Sequence, residues 1–130
     1  MAGAFDLCHA GHVLAFRNAK KDCDYLIVGL HRDPSIERPE KHTPIMSVGE
    51  RRIILEGIRY IDLIVEYDTE EELMMLLNGE SLGMKPDVRF LGQDWKGKPY
   101  TGHELGIPIL WEDRSHGYSS SELRDRIRNA

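Results

Sequence analysis

Two imidazoles three residues apart, His9 and His12, bracket Gly11 in the stretch Gly3-Ala4-Phe5-Asp6-Leu7-Cys8-His9-Ala10-Gly11-His12. An apolar helical pattern starts at once with Val13, Leu14, Phe16 and Ala19. Together these read as a strand-to-helix turn in which Gly11 lets backbone pass close to another group. A helix amino terminus offers unpaired N–H groups and a partial positive charge, and so seats phosphate. Imidazoles at this spacing share one helix face and add two donors to the same anion. A His-x-x-His pair also suits zinc, but a tetrahedral centre needs further Cys or His ligands, and no second cluster at metal spacing follows. Two solvated histidines beside a turn are the plain alternative.

A second stretch carries matching chemistry. Arg114-Ser115-His116-Gly117-Tyr118-Ser119-Ser120-Ser121 runs from a strand end into a helix start. The three serines supply hydroxyl and backbone donors, Gly117 permits an unusual backbone angle, and Arg114 brings a bidentate fork for phosphate oxygens. Alone, this would read as a capped surface helix beside an arginine. Paired with the histidine turn, it makes a two-ended grip on a polyphosphate.

The elements between must bring these ends together. The first helix is expected over about His12 to Lys21. Tyr25 to Leu30 is a continuous apolar run, the pattern of a strand buried on both faces of a parallel sheet. Asp33 to Pro44 is polar and proline-punctuated, and reads as a mobile loop of the kind used for lids. Ser47-Val48-Gly49-Glu50 is a capping box, starting a helix with Ile53, Ile54, Leu55 and Ile58 inward and ending near Tyr60. Leu63 to Val65 is a short strand, and Thr69-Glu70-Glu71-Glu72 is a second capping box before Leu73, Leu76 and Leu77. Strands follow at Val88–Leu91 and Ile107–Trp111, separated by a loop from Gly92 to Lys98. Ser119 to Glu122 caps the last helix, Leu123 to Arg128. Strands alternating with helices mean βαβ units and a parallel sheet covered on both faces. Ligands then sit at the carboxyl ends of the strands, where the histidine turn, the Gly92–Lys98 loop and Arg114–Ser121 all converge.

Size and composition bound the rest. The 130 residues, 41% of them apolar, fit one domain over residues 1–130. A net charge of −5 leaves no basic face for nucleic acid. No apolar run suits a membrane span and no secretory signal opens the chain. Cys8 and Cys23 are too few for a disulfide framework and read as packing residues in a reduced, cytoplasmic protein.

At this point the residues resemble a known family. GAFDLCHAGH is similar to the G-x-F-D-x-x-H-x-G-H signature of the cytidylyltransferase-like nucleotidyltransferases, and RSHGYSSS to their R-x-x-G-I-S-T-T/S signature. Between them, ERRIILEGIRYID resembles E-R-x-x-x-L-x-x-I-R-Y-V-D, and LGQDWKGK resembles G-D-D-W-E-G-K, nearest the glycerol-3-phosphate cytidylyltransferase branch. The likeness implies a Rossmann-like three-layer α/β/α fold and transfer of CMP from CTP, with Mg²⁺, to a phosphorylated alcohol, glycerol 3-phosphate above others. It implies His9, His12, Arg114 and Lys41 as catalytic groups. Nucleotide would lie against Ala4, Phe5, Asp6, Gly11, Arg59, Gly92, Asp94, Gly117, Tyr118, Ser119, Ser120 and Ser121. The acceptor would meet Asp33, Lys41, Arg59, Asp94 and Trp95. Mg²⁺ would travel on the triphosphate, with Asp6 the carboxylate named as a ligand. A homodimer is also implied.

The chain departs from that pattern in places. The family has a full strand before G-x-F-D where Met1 and Ala2 stand here, so a truncated first strand is expected, with neighbouring strands short of partners. The glycerol-phosphate branch carries a lysine where this chain has Thr69-Glu70-Glu71-Glu72-Leu73. Gln93 replaces an acid and Ala4 a hydroxyl residue. Two other readings stand beside the first: an adenylyltransferase or other relative with a different acceptor, including a sugar phosphate, and a nucleotide-binding module with little turnover.

Overall fold

The computed structural model describes residues 1–130. Along the chain lie β1 (Ala2–Gly3), α1 (Ala10–Lys21), β2 (Ile27–His31), α2 (Val48–Glu56), β3 (Leu63–Tyr67), α3 (Glu70–Leu77), β4 (Arg89–Gly92), β5 (Ile109–Glu112) and α4 (Ser120–Arg128). All strand pairings are parallel. β2 pairs with β3 from Ile27↔Leu63 to His31↔Tyr67, which explains its apolar run, since both its faces are covered.

One face of β2, through Val28 and Leu30, packs with Phe16 and Ala19 of α1, Leu55 of α2 and Phe90 of β4. The other face carries Gly29, where an added Cβ would stand 3.2 Å from the Tyr67 ring. There Tyr67 packs with Leu73, Leu76 and Leu77 of α3. Helices thus cover both sides of a parallel sheet, and the fold is the expected Rossmann-like α/β arrangement. No helix is long and apolar enough to cross a membrane.

β1 is short, as expected. Ala2 and Gly3 pair with Gly29 and Leu30, and Met1 O accepts from Gly29 N at 2.8 Å. Two residues do not also reach β4, which bonds only to β5, from Arg89↔Ile109 to Gly92↔Glu112. The sheet is therefore in two parts, and a cavity of about 370 Å³ opens beside Ala2, Tyr25, Ile27, Leu76 and Val88.

The caps form much as the sequence suggests. Ser47 Oγ accepts from Glu50 N while Glu50 Oε2 accepts from Ser47 N, a full reciprocal box. At Thr69 only half of it forms, because Glu72 reaches one residue further back to Asp68 N. The inward face of α2 differs from the expectation. Leu55 and Arg51 are buried, with Val48 and Ile58 packed beside them, while Ile53 is 71% exposed and Ile54 37%. The stripe 48-51-55-58 follows the helical period, which leaves Ile53 pointing away. Cys8 and Cys23 are both free, with their thiols pushed up by burial, so neither is activated as a nucleophile.

Candidate active site

The turn between β1 and α1 is tight because two non-glycine residues, Phe5 and Leu7, adopt left-handed backbone angles, φ 51° and 50°. That conformation costs about 1–2 kcal/mol per residue, and neighbouring groups hold it in place. Asp6, between them, is buried. Its two oxygens accept from Ile45 N at 2.8 Å and Met46 N at 3.0 Å, and Arg124 stands 3.7 Å away.

His9 caps α1. Its Nδ1 accepts from Gly11 N at 3.0 Å, and His12 Nδ1 accepts in turn from His9 N at 3.1 Å. A backbone N–H can only donate, so both Nδ1 atoms are acceptors and each neutral ring carries its proton on Nε2. The capping geometry thereby fixes two tautomers at once. The rings lie 4.0 Å apart, centroid to centroid. Burial, then the neighbouring His9 and Arg114, hold His12 down at about 4. His9 is also lowered, by burial and then by His116 and Arg114. Both are neutral donors at neutral pH.

Opposite them stands the start of α4. Ser119 Oγ accepts from Glu122 N, and Leu123 N bonds Ser119 O, so the amides of Ser120 and Ser121 have no intrahelical partner. Ser120 Oγ lies 3.2 Å from His9 Nε2. The two walls also meet in the backbone: a Cβ on Gly11 would stand 3.1 Å from Tyr118 O and 2.9 Å from His9 Cε1. Gly117, at φ 78°, turns the chain into this cap, and its N–H bonds Arg114 O.

The crevice so formed has a volume of about 370 Å³ and lies at the carboxyl ends of β1, β4 and β5. Of the residues named from sequence, Ala4, Phe5, His9, Gly11, His12, Gly92, Trp95, Arg114, Tyr118, Ser119, Ser120 and Ser121 line it. A Cβ on Gly92 would stand 2.6 Å from Asp94 Oδ1 and 3.1 Å from the Arg114 guanidinium, so both side-chain tips close over this glycine. Asp94 and Arg114 face each other across it at 3.6 Å, both largely exposed. Lys41 reaches the rim, with Nζ 6.0 Å over the Trp95 ring.

Three named residues lie elsewhere. Asp6 accepts one backbone amide on each oxygen, from Ile45 and Met46, and does not line the crevice. Asp33 closes a local turn, accepting from the amide and hydroxyl of Ser35. Arg59 is exposed and stacked on Tyr60, with its Nη2 donating to Tyr60 Oη. It precedes β3 beside Asp62, which bonds Leu26 N at the start of β2. That is the amino-terminal edge of the sheet, opposite the crevice. No group of three or more His, Cys, Asp or Glu side chains stands at metal-binding spacing.

Sequence reading assigns no role to Glu112, Asp113 and His116, yet all three line the crevice. Their signal is positional: Glu112 ends β5 and Asp113 and His116 lie in the segment that follows it, at the carboxyl edge of the sheet. Glu112 is raised by burial, and its Oε1 is buried without a hydrogen-bond partner. Chemically, the arrangement offers two Nε2–H donors, two free amides, serine hydroxyls and a guanidinium around one space. Such a set binds a polyanion and stabilises charge that develops on phosphoryl oxygens.

The family model described as cytidylyltransferase-like matches residues 1–126. Among curated relatives, the bifunctional protein HldE of Campylobacter concisus is 33% identical over 129 residues, 98% of this chain and 26% of that protein. The bifunctional protein HldE of Wolinella succinogenes gives the same identity and the same two coverages. The chain spans about a quarter of the length of the curated relatives it matches. Among solved structures, the lipopolysaccharide core biosynthesis protein from Thermoplasma volcanium GSS1 superposes with a TM-score of 0.63 at 25% identity, over 85% of this chain and 88% of that one.

Proposed function

The chain belongs to the cytidylyltransferase-like family, and from that membership we propose that it transfers a nucleoside monophosphate from a nucleoside triphosphate to the phosphate of a small polyhydroxylated acceptor. An acceptor phosphate oxygen attacks the α-phosphorus in line. The bond from that phosphorus to the bridging oxygen breaks, and pyrophosphate leaves with the electron pair. The observation that carries this reading is the single crevice shared by His9, His12 and the Ser119–Ser121 cap. Orienting the chain of phosphates and stabilising the charge of the transition state are what such a site supplies.

In this reading, Nε2–H of His9 and His12 donate to phosphoryl oxygens around the reacting phosphorus. The free amides of Ser120 and Ser121, the serine hydroxyls and Arg114 hold the β- and γ-phosphates. Lys41 adds a point charge from the rim. Mg²⁺ would be carried by the triphosphate oxygens, held in the crevice through the phosphates that the histidines, serines and Arg114 bind. Bound so, it offsets phosphate charge.

The acceptor we favour is a sugar phosphate, with ATP as donor. The Thermoplasma neighbour supports this, because it is a lipopolysaccharide core biosynthesis protein and such a core is built from sugars. The acidic start of α3, where Glu70 is engaged by Arg38 at 3.2 Å, departs from the glycerol-phosphate branch, which carries a lysine there. CTP with glycerol 3-phosphate is the second reading, supported by Trp95 at the crevice and the GQDWKGK sequence around it. Pyrophosphate release with Mg²⁺, four nucleoside triphosphates and a panel of sugar phosphates and glycerol 3-phosphate separates the two. Release with ATP and a sugar phosphate upholds the first, and CTP-only release with glycerol 3-phosphate upholds the second. A thermal shift on nucleotide addition without any release would overturn both in favour of a binding module.

A further inference from the structure

Arg51 is 2% exposed, yet no carboxylate is hydrogen-bonded to it. Its guanidinium donates only to main-chain carbonyls, and these come from separate parts of the chain. Nε donates to Met46 O at 3.1 Å, Nη1 to Ala4 O at 2.9 Å and His31 O at 2.8 Å, and Nη2 to Arg32 O at 2.5 Å. Burying a guanidinium is costly, and an apolar side chain would fill this place in the 48-51-55-58 stripe more cheaply. What the arginine adds is geometry. His31 and Arg32 are where the 33–45 loop leaves β2, Met46 is where it returns to α2, and Ala4 is the residue before the left-handed Phe5. Asp6 reinforces the same junction from the other side, through Ile45 N and Met46 N.

We infer that Arg51 is a positioning residue that fastens both feet of the 33–45 loop to the histidine turn, so that one buried side chain sets Lys41 and His12 relative to each other. The upper part of the loop is held separately, by Arg38 on Glu70 at 3.2 Å and on Thr101 Oγ1 at 3.4 Å, and by Lys41 over Trp95. The loop is thus tied at its base to the histidine turn and at its crest to Glu70 of α3, Thr101 and Trp95. Arg51 touches neither substrate nor reacting atoms, and acts only through where it holds Ala4, Arg32 and Met46. For its kinetic consequence this inference rests on the function proposed above, but its structural content does not.

The test has two arms. In the first, Arg51→Lys, which keeps the charge but lacks the planar fork, and wild-type protein are treated with trypsin without nucleotide, and cleavage after Lys41 is timed. At least tenfold faster cleavage within the loop, at a melting temperature within a few degrees of wild type, is expected. Equal cleavage rates in the folded variant overturn the inference. If Arg51→Lys does not fold, Asp6→Asn is read by the same criterion. In the second arm, kcat/KM is measured for Lys41→Ala, Arg51→Lys and the double variant. Lys41→Ala is expected to cost about tenfold in the wild-type background and less than twofold beside Arg51→Lys, although the two side chains do not touch. Full additivity means that Arg51 only stabilises the fold, and overturns the inference. Absence of turnover in wild-type protein would sink the proposed function, while the tryptic arm would still decide the clamp.

Discussion

His9 Nε2 lies 3.2 Å from Ser120 Oγ, although 111 positions separate the two residues in the chain. The cap of α1 and the opening of α4 are therefore two walls of one crevice, in side-chain contact with each other. A bound triphosphate would take the place of this contact, and each residue that shapes the crevice then has a measurable role.

His12→Ala removes one of the two Nε2–H donors and is expected to lower kcat by about a hundredfold or more, the scale for losing a donor that acts on transition-state charge. The check is pyrophosphate release under saturating substrate. Near-normal turnover would remove His12 from the mechanism.

Stability should fall on acidification before the carboxylates titrate. His12 is held at about 4 in the folded protein, against 6.5 ordinarily, so below about pH 6.5 the unfolded chain takes up a proton that the folded chain refuses. Its contribution is complete above pH 6.5 and drains away as pH falls toward 4. Melting curves from pH 7.5 to 5 should show the drop. His12→Gln should reduce it, since a glutamine at this position keeps the reciprocal cap but does not titrate, while His9, also lowered by burial, still contributes.

Asp6→Ala should destabilise the protein by about 2–4 kcal/mol, because two amides that now donate to a charged acceptor lose it. Urea unfolding measures this. The Mg²⁺ concentration giving half-maximal activity should stay put in Asp6→Asn. A large shift would restore Asp6 as a metal ligand.

Arg59→Ala should leave kcat/KM within about twofold, since the side chain is exposed at the edge of the sheet away from the crevice. A loss above tenfold would require Arg59 to reach a site that the monomer does not place near it.

Gly11→Ala should damage activity more than stability. Its Cβ would press on the His9 ring and on Tyr118 O, pushing the two phosphate walls apart. We expect kcat/KM to fall at least tenfold with a modest change in melting temperature. Loss of both in proportion would mean that the glycine serves folding alone.

Much of this architecture is readable from local patterns. The serine caps before α2 and α4 announce themselves because capping is decided within four residues. The meeting of His9 with the Ser119–Ser121 cap follows from strand-helix alternation, which sends every such connection to one sheet edge. Asp6 takes its expected role from the resemblance, whereas its partners, the amides of Ile45 and Met46, come from a segment about forty positions away that no local pattern links to it. Arg59 takes its expected role from a motif, whereas its position is set by whether a residue precedes or follows a strand. Arg51 is hidden by hydrophobicity itself: beside Ile53 and Ile54, an arginine looks like the outward residue, and four main-chain acceptors from distant segments cannot be counted in a linear string.

The fixed tautomers of the two histidines restrict what the crevice can accept. With each Nδ1 holding a main-chain amide and each Nε2 already bearing hydrogen, neither ring has a lone pair with which to deprotonate an incoming group. These imidazoles can therefore serve only nucleophiles that arrive already anionic. A phosphate monoester satisfies that demand at neutral pH and an unactivated hydroxyl does not, so an acceptor stripped of its phosphate should be ignored even where the rest of it would fit.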